Sequence, residues 1–270
     1  MSENVSNSEI KLSAALYLIP TGMSDAPLME VIPAYNIEII KGIRHFIVEN
    51  IRSARRFIKR CYPGADISEL TFYELNRHTD ISEVSGFLDP LRAGNPIGVM
   101  SDAGCPAVAD PGALPVALAQ REGFKVKPLV GPSSILMSLM ASGFNGQGFS
   151  FVGYLPIEDA ERKEAIGRLE SESRRRNMTQ IFIETPYRNN RLLTLLSNTL
   201  HGDTRICVAC DLTDQENEYV VTRSVASWQH LLSDKKNAPD FDKRPAIFLI
   251  YAGAEESVQQ LKRGKQRRKK

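Results

Sequence analysis

A regular alternation of short apolar runs with segments of helical spacing is the feature that most constrains the fold of this 270-residue chain. Apolar runs of four to eight residues between turn signals are typical of buried strands. In the first half the predicted strands are 15–20, 44–49, 70–75, 97–101 and 125–130, and the predicted helices are 31–41, 53–60, 82–92, 113–120 and 133–142. Strands that alternate with helices in this way form a parallel sheet with helices on both faces.

The second half is predicted to form a mixed sheet rather than a purely parallel one. Its predicted strands are 149–155, 180–184, 205–212, 218–223 and 246–251, and its predicted helices are 160–175, a leucine-rich segment opened by Pro186, and 225–232. The third and fourth of these strands are separated only by residues 213–217. A connection that short joins antiparallel strands as a hairpin.

Turn-forming residues interrupt both periodicities at Phe144-Asn-Gly-Gln-Gly148, which we take as the domain boundary. The predicted fold class is therefore α/β with two α/β domains. The first, residues 14–146, has a mostly parallel sheet, and the second, residues 147–254, has a mixed one. Residues 1–13 are predicted to be a disordered N-terminus and residues 255–270 a basic tail.

The composition is that of an ordinary soluble protein, with 42% hydrophobic and 24% charged residues. No apolar run approaches the length of a membrane span, and the polar segment 1–11 has no apolar core. A cytoplasmic protein without a membrane partner is therefore expected.

Seven positive side chains and no negative one lie in the C-terminal segment 262–270. Without them the formal charge of +2 becomes −5, so the rest of the chain is mildly acidic. Such a segment either contacts the phosphate backbone of a nucleic acid or only keeps the protein soluble, and the sequence leaves both interpretations open.

The four cysteines, at positions 61, 105, 207 and 210, are too few for a disulfide framework in a chain of this length. Cys207 and Cys210 have the C-x-x-C spacing, but they fall inside a predicted strand. Side chains three apart on a strand point to opposite faces, so we interpret both as buried apolar residues. A second such pair is missing, and no metal site is expected.

The loop after the fourth strand, Ser101-Asp-Ala-Gly-Cys-Pro-Ala-Val-Ala-Asp-Pro-Gly112, is rich in residues that define backbone geometry. Gly104 permits a positive φ, and Pro106 and Pro111 each fix φ near −65°. A stiff loop at the carboxyl end of a parallel strand is where α/β proteins bind ligands. The plain alternative is a connection between a strand and a helix.

A second loop of this kind, Val130-Gly-Pro-Ser-Ser134, closes the fifth strand and begins a helix. One of its serines is expected to cap that helix, or else the free N–H groups there bind a polar group of a ligand. The first loop, Pro20-Thr-Gly-Met-Ser-Asp25, lacks the G-x-G-x-x-G dinucleotide fingerprint. His78 and the segment 49–52 follow the third and second strands and reach the same sheet edge.

Five motifs in this order resemble the tetrapyrrole-methylase-like class of S-adenosylmethionine-dependent methyltransferases, and most closely the branch that methylates a ribose 2′-hydroxyl in small-subunit ribosomal RNA. The resemblance extends from about Leu16 to about Tyr251. The motifs are Ser101 to Gly112 as quoted above, Leu129-Val-Gly-Pro-Ser-Ser134, Gly153-Tyr-Leu-Pro156, Phe182-Ile-Glu-Thr185 and Asp211-Leu-Thr213.

The resemblance implies a homodimer of two-domain subunits, with S-adenosylmethionine bound in the cleft between the domains and S-adenosylhomocysteine released as the product. It also implies which positions contact the cofactor. These are Met23, Asp102, Ala103, Gly104, Cys105, Val108, Ser133 and Ser134 in the first domain, and Glu184, Ala209 and Ala246 in the second.

The chain departs from this branch at three places that face the acceptor. It has Gly22-Met-Ser-Asp25 for Pro-x-Gly-Asn, Glu49-Asn-Ile-Arg52 for Glu-Asp-Thr-Arg, and Cys210-Asp-Leu-Thr-Asp214 for Arg-Glu-Leu-Thr-Lys. The donor site is thus preserved and the acceptor site altered, with changes at Asn50, Ile51, Cys210 and Asp214.

A hydroxyl acceptor needs a general base. The candidates are Glu49, Asp25 and His78, with Arg52 as a phosphate contact. Glu49 has a structural alternative, since an acidic side chain at a helix start also complements the helix dipole. The activity expected from the resemblance is ribose methylation of ribosomal RNA, with the tail 262–270 as a further contact to RNA or the small ribosomal subunit. A tetrapyrrole-type small-molecule methyltransferase and a cofactor-binding protein without transfer activity remain as alternatives.

Overall fold

The computed structural model describes residues 11–234 and 236–253, which form two compact units. The first unit contains residues 11–134 together with Thr213–Gln215, and the second contains most of the remainder. The predicted segments 1–13 and 255–270 therefore lie largely or wholly outside the described residues. In the described residues no helix has both the length and the apolar character needed to cross a membrane.

The first sheet is built from five parallel strands in the order β3-β2-β4-β1-β5. These are β1 (Ala15–Leu18), β2 (His45–Val48), β3 (Thr71–Glu74), β4 (Ile97–Met100) and β5 (Lys125–Pro128). The helices are α1 (Leu28–Val31), α2 (Ala34–Gly42), α3 (Ile51–Cys61), α4 (Asp89–Arg92), α5 (Ala113–Arg121) and α6 (Ser134–Ser142). The parallel α/β architecture predicted for the first half is confirmed.

Helices cover both faces of this sheet, because successive side chains of each strand point to opposite sides. Tyr17 of β1 packs in one apolar cluster with Phe46 and Ile39, whereas its neighbour Leu16 packs in another with Val99. All five side chains are at most 2% exposed. The three central strands β2, β4 and β1 therefore carry nearly continuous apolar runs, as expected for parallel strands buried on both faces.

Two predicted helices of the first half differ from the structure. The segment 82–92 contains two 3₁₀ turns, Ile81–Glu83 and Gly86–Leu88, before the short α4. Proline lacks an N–H and glycine costs backbone entropy, so Gly86 and Pro90 prevent one continuous helix. The predicted helix 31–41 is interrupted at Pro33, which separates α1 from α2 as the N-cap of α2.

The second sheet has the order β6-β7-β10-β8-β9. Its strands are β6 (Phe149–Tyr154), β7 (Thr179–Ile183), β8 (Arg205–Cys210), β9 (Tyr219–Ser224) and β10 (Ala246–Tyr251), and its helices are α7 (Asp159–Arg176), α8 (Asn189–Thr199) and α9 (Val225–Ser233). β6 and β7 pair in parallel and the other neighbours are antiparallel. The predicted mixed sheet and the β8–β9 hairpin are both confirmed.

The core of the second unit is centred on Trp228, which is fully buried. Its indole N–H donates to the carbonyl of Ile206 at 3.0 Å, so its polar atom is satisfied inside the core. Cys207 and Cys210 are buried, free thiols on β8, as predicted.

The two units meet in sequence at Ser134 and Ile135, inside α6, whereas the composition predicts a linker at 144–148. The C-terminal end of α6 is held in the second unit, because the Thr222 hydroxyl on β9 donates to the carbonyl of Ser142 at 2.8 Å. A tertiary contact of this kind cannot be inferred from local composition.

Candidate functional site

The loops that follow β1 and β4 are joined at the carboxyl edge of the first sheet. Thr21 and Gly104 form an antiparallel bridge, with N···O distances of 2.9 Å and 3.3 Å. The buried hydroxyl of Thr21 also donates to the carbonyl of Ser101 at 3.2 Å. This role of Thr21 was not predicted, since a lone threonine in a loop carries no distinguishing sequence signal.

The loop after β5 reaches the same point. Gly104 has φ +74°, and a Cβ built on it would lie 3.6 Å from the carbonyl oxygen of Pro132 and 3.7 Å from the sulfur of Met23. The thiol of Cys105 donates to that Pro132 carbonyl at 3.3 Å. Burial raises the pKa of Cys105, against a hydrogen bond with Ser133 that lowers it. The three loops therefore converge around Gly104, and the positive φ predicted there is confirmed.

The loop after β4 is stiffened by its own aspartate. One carboxylate oxygen of Asp110 accepts hydrogen bonds from the N–H groups of Ala107 at 2.8 Å and Gly112 at 2.7 Å. Burial raises the pKa of Asp110, while these two hydrogen bonds act in the opposite direction. An aspartate before Pro-Gly favours such a turn, so this role was open to prediction from sequence.

Two alanines of this loop have left-handed backbone, with φ 66° at Ala107 and 61° at Ala109. Non-glycine residues adopt this region at a cost, and strain of this kind is found preferentially at functional sites. Val108, which lies between them, is 47% exposed although it is apolar. The loop thus holds an apolar side chain exposed to solvent at the carboxyl edge of the sheet.

Position 131 requires glycine because the chain there lies close to Pro20, and not because of its backbone φ. A Cβ there would lie 2.6 Å from the Cγ of Pro20, closer than two non-bonded carbon atoms can approach. The side-chain amide of Asn36 donates to the carbonyl of Val130 at 2.8 Å. The loops after β1 and β5 therefore pack directly on each other, and α2 anchors the second of them.

A cavity of about 350 Å³ opens beside this convergence. Its walls come from the loop after β1, from the start of the loop after β4 and from one side of α3. The lining residues are Thr21, Gly22, Met23, Ser24, Asp25, Ser53, Ala54, Arg56, Phe57, Arg60, Ser101, Asp102 and Ala103. Its volume lies within the range of small-ligand sites.

The three candidate bases occupy different environments. Glu49 is partly buried and its carboxylate accepts from the N–H of Asp102 at 3.3 Å. Burial raises the pKa of Glu49, opposed by that hydrogen bond and reinforced by Asp102 and Asp110. Asp25 lines the cavity with a fully exposed carboxylate, 3.8 Å from the guanidinium of Arg60. His78 is exposed and lies outside the cavity lining.

Asn50 is the N-cap of α3, where its side-chain oxygen accepts from the N–H groups of Arg52 at 2.9 Å and Ser53 at 3.1 Å. Asparagine and aspartate are equivalent N-caps, so the change from the family pattern preserves this function. Ile51 begins α3 and Arg52 is exposed in its first turn. α3 thus begins two residues before the predicted helix 53–60, and Asn50 caps it.

The segment Thr213–Gln215 belongs to the first unit. The hydroxyl groups of Ser24 and Thr213 are hydrogen-bonded at 2.9 Å, and the Ser24 hydroxyl also lies 3.0 Å from the Thr213 carbonyl. Asp214, one of the departures from the family pattern, lies within this segment. The segment therefore contacts the loop after β1, next to residues that line the cavity.

Glu184 in the second unit is buried among arginines. Its carboxylate lies 2.9 Å from a guanidinium nitrogen of Arg188 and 3.6 Å from one of the buried Arg162. It also accepts from the N–H of Thr185 at 2.6 Å. These contacts satisfy the charge of Glu184 within its own unit, a structural role that the sequence did not indicate.

The other two candidates of the second unit are buried small residues on neighbouring strands. Ala246 on β10 pairs with Cys210 on β8, and Ile247 pairs with Ala209. The adjacent Asp211 accepts from the guanidinium of Arg244 at 2.5 Å. Within the described residues, no group of three His, Cys, Asp or Glu side chains is arranged to hold a metal ion.

No protein-family model matches the chain. Over 198 residues it is 30% identical to ribosomal RNA small subunit methyltransferase I of Vibrio cholerae. This match covers 73% of this chain and 65% of that protein. Over 205 residues it is 31% identical to the protein of the same name from Bacillus subtilis. This match covers 76% of this chain and 66% of that protein. The match thus spans just under two thirds of the length of these relatives.

Solved structures share the architecture at low sequence identity. The methyltransferase CobJ has a TM-score of 0.57 and 15% identity, with 88% of this chain and 93% of that chain covered. Uroporphyrin-III C-methyl transferase from Thermus thermophilus, complexed with S-adenosyl homocysteine, has a TM-score of 0.52 and 15% identity, with 88% and 97% covered. The chain is therefore similar in sequence to ribosomal RNA small subunit methyltransferase I, and it shares its fold with the tetrapyrrole-type methyltransferases.

Proposed function

We propose that this protein transfers a methyl group from S-adenosylmethionine to a ribose 2′-hydroxyl of small-subunit ribosomal RNA. The observation that carries the proposal is the convergence of three loops on Gly104, at the sheet edge where α/β proteins bind ligands. The names of the relatives and the order of the five motifs support the same activity.

The geometry of the first unit fits S-adenosylmethionine. The loop after β4 is stiffened by Asp110 and holds Val108 exposed between two left-handed alanines, which suits contact with an apolar part of the cofactor. The proposed contacts there are Met23, Asp102, Ala103, Gly104, Cys105, Val108, Ser133 and Ser134. From the second unit, the resemblance supports Glu184, Ala209 and Ala246, of which Glu184 already has two arginine partners.

The bound cofactor would supply a methyl group activated by a sulfonium. The protein then has to align the acceptor oxygen, exclude water and remove the proton of the hydroxyl. Glu49, whose pKa is raised by burial, is the proposed base, since a raised pKa brings a carboxylate closer to its working pH. Asp25 is a second candidate because it lines the cavity, and His78 is a third at the same sheet edge.

The role of Glu49 is tested by Glu49→Ala, with Asp25→Ala and His78→Ala prepared in parallel. If Glu49 is the base, its variant binds S-adenosylmethionine with the affinity of the wild type in calorimetry but transfers no methyl group. If Glu49→Ala retains turnover and one of the other variants loses it, the residue changed in that variant is the base instead.

Methylation of a tetrapyrrole-type small molecule is the second candidate function. It is favoured by the solved neighbours, which include a uroporphyrin methyltransferase, although their low identity supports only the fold. A binding protein without transfer activity is the third, because the acceptor-facing residues depart from the family pattern at Asn50, Ile51, Cys210 and Asp214.

One experiment separates the three functions. The full chain, and a variant without residues 262–270, are incubated with labelled S-adenosylmethionine and small ribosomal subunits or a tetrapyrrole acceptor. Label in ribosomal RNA supports the proposal, and label only in the small molecule supports the second function. Tight cofactor binding without any transfer supports the third. The tail lies outside the described residues, so the truncated variant alone tests its contribution to RNA binding.

A homodimer is also proposed, on the basis of the resemblance. β6 is an edge strand of the second sheet and carries three exposed apolar side chains, Phe149, Val152 and Tyr154. An exposed edge of this kind pairs readily with a second copy. Light scattering coupled to size-exclusion chromatography measures the mass directly, and a monomer at micromolar concentration would contradict the proposal. The cytoplasmic location remains a prediction.

A further inference from the structure

Helix α3 separates its residues into an apolar and a cationic face. Ala54, Phe57, Ile58 and Cys61 are buried. The exposed side chains Arg52, Arg55, Arg56, Lys59 and Arg60 occur at i, i+3, i+4, i+7 and i+8, which is one face of a helix. The helix contains no acidic residue. We call these five side chains the basic face.

The basic face is poorly neutralised within the described part of the chain. Its ion pair there joins Arg60 to Asp25 at 3.8 Å. Arg55 lies over the ring of Phe72 at 5.3 Å, and Lys59 donates to the carbonyl of Pro63. Like charges four residues apart on a helix repel, so this arrangement lowers the local stability of α3.

Helix α7 shows the ordinary alternative. There Arg168 pairs with Glu164 at 2.8 Å and Arg175 with Glu172 at 2.9 Å, in both cases on the same helix. A surface helix that serves only solubility can interleave its charges in this way. The uncompensated face of α3, on a body with a formal charge of −5, indicates instead an anionic partner with several charges.

The basic face lines a groove that leads to the cavity at the loops. The groove has a volume of about 840 Å³, and Glu74 is the acidic residue in its lining. Arg56 and Arg60 line both the groove and the 350 Å³ cavity. From Arg52 to Arg60 the face extends about 12 Å along the helix axis at 1.5 Å per residue. It is therefore long enough to contact successive charges of an extended polyanion.

We infer that the groove along α3 binds the phosphodiester backbone of single-stranded RNA and leads the acceptor nucleotide into the cavity lined by Asp25, Ser101 and Asp102. The inference rests on the proposed function for the identity of the polyanion. Phosphate contacts fix the register of a nucleic acid, and a nucleotide enters a cavity of this size only when it is unpaired. A basic groove that follows the backbone is the common way to bind single strands.

The test uses Arg55→Gln/Lys59→Gln in the full chain. Both residues line the groove and neither lines the cavity. The matched control, Arg168→Gln/Arg175→Gln, removes the same charge from α7. Affinity for a fluorescent single-stranded RNA with the sequence of a small-subunit ribosomal RNA loop is measured across a salt series. Calorimetry with S-adenosylmethionine and thermal unfolding report whether each variant is folded.

We expect the α3 variant to bind this RNA at least tenfold more weakly, with the slope of log K against log salt reduced by about 1.4. The control should keep its affinity within about twofold, because its cations lie outside the groove. Equal losses in both variants would show an effect of net charge alone and overturn the inference. Unchanged RNA affinity in the α3 variant would also overturn it.

Failure of the inference and failure of the proposed function give different results. If the wild type methylates ribosomal RNA and the α3 variant keeps full RNA affinity, the groove does not bind RNA but the proposed function stands. If RNA affinity depends on α3 but no methyl group is transferred to RNA, the groove binds RNA and the proposed function is wrong. Binding to phosphatidylserine vesicles that depends on α3, without any RNA binding, would assign the basic face to a membrane surface and overturn the inference.

Discussion

Thr21 and Gly104 hydrogen-bond to each other through both of their backbone N–H and C=O groups, at 2.9 Å and 3.3 Å. They lie in the loops that follow β1 and β4, which pair in parallel in the first sheet, and the antiparallel bridge joins these loops beyond the ends of the strands. Two loops that would otherwise move independently are held at a fixed separation. A ligand that contacts both therefore meets a largely preformed site.

The close contact between Gly131 and Pro20 predicts that Gly131→Ala destabilises the protein. The new methyl group would overlap the proline ring, and overpacking of this kind costs about 1–3 kcal/mol in the free energy of unfolding. Affinity for S-adenosylmethionine should fall as well, since the two loops would separate. Urea denaturation and calorimetry measure the two effects.

Gly22→Ala is the matched control, because a Cβ at Gly22 meets nothing closer than the carbonyl oxygen of Ser24 at 3.5 Å. Its free energy of unfolding should stay within about 1 kcal/mol of the wild type. Equal stability of the Gly131 and Gly22 variants would argue that the loops adjust freely.

The N-cap role of Asn50 predicts different effects of two substitutions on the stability of the protein. Asn50→Ala removes the acceptor for two N–H groups at the start of α3 and should cost about 1 kcal/mol of unfolding free energy. Asn50→Asp keeps the acceptor and should be close to neutral. If Asn50→Asp restored methyl transfer to an otherwise inactive protein, Asn50 would act on the acceptor and not only on the helix.

Burial of Glu49 predicts a pH-dependent stability difference between the wild type and Glu49→Gln. Burial raises the pKa of Glu49 above its ordinary value of 4.5. The wild type therefore has its full relative stability below pH 4.5 and loses part of it as the pH rises through the pKa of the folded state. Denaturation at a series of pH values between 4 and 7 measures the difference. A difference that stays constant, or that grows in favour of the wild type, would contradict the direction of this shift.

Thiol burial predicts that the native protein reacts first at Cys105. Burial raises the pKa of Cys61 and Cys210 to about 12 and that of Cys207 to about 11, so all three are protonated and shielded at pH 8. Cys105 is only partly buried. Mass spectrometry after brief treatment with iodoacetamide should show one modified site, and S-adenosylmethionine should slow that modification. Early labelling of Cys207 or Cys210 would contradict the buried environment of β8.

The sheets were predictable because their signals are local. β1, β4 and β10 each carry their own apolar run close to a Pro or Gly, so they could be placed within a few residues. The segment 82–92 was harder to predict, because its apolar spacing favours a helix while Gly86 and Pro90 interrupt it. Weak, opposing local preferences are decided by packing.

The sequence by itself determined the two α/β halves, the loops at the carboxyl ends of β1, β4 and β5, and the positive φ at Gly104. Only the tertiary structure decided that Gly131 touches Pro20, that Asn36 holds the β5 loop and that the basic face of α3 leads to the cavity. Backbone conformation and burial follow from neighbouring residues in the chain. Contacts between loops depend instead on the order of strands in the sheet, which local patterns do not encode.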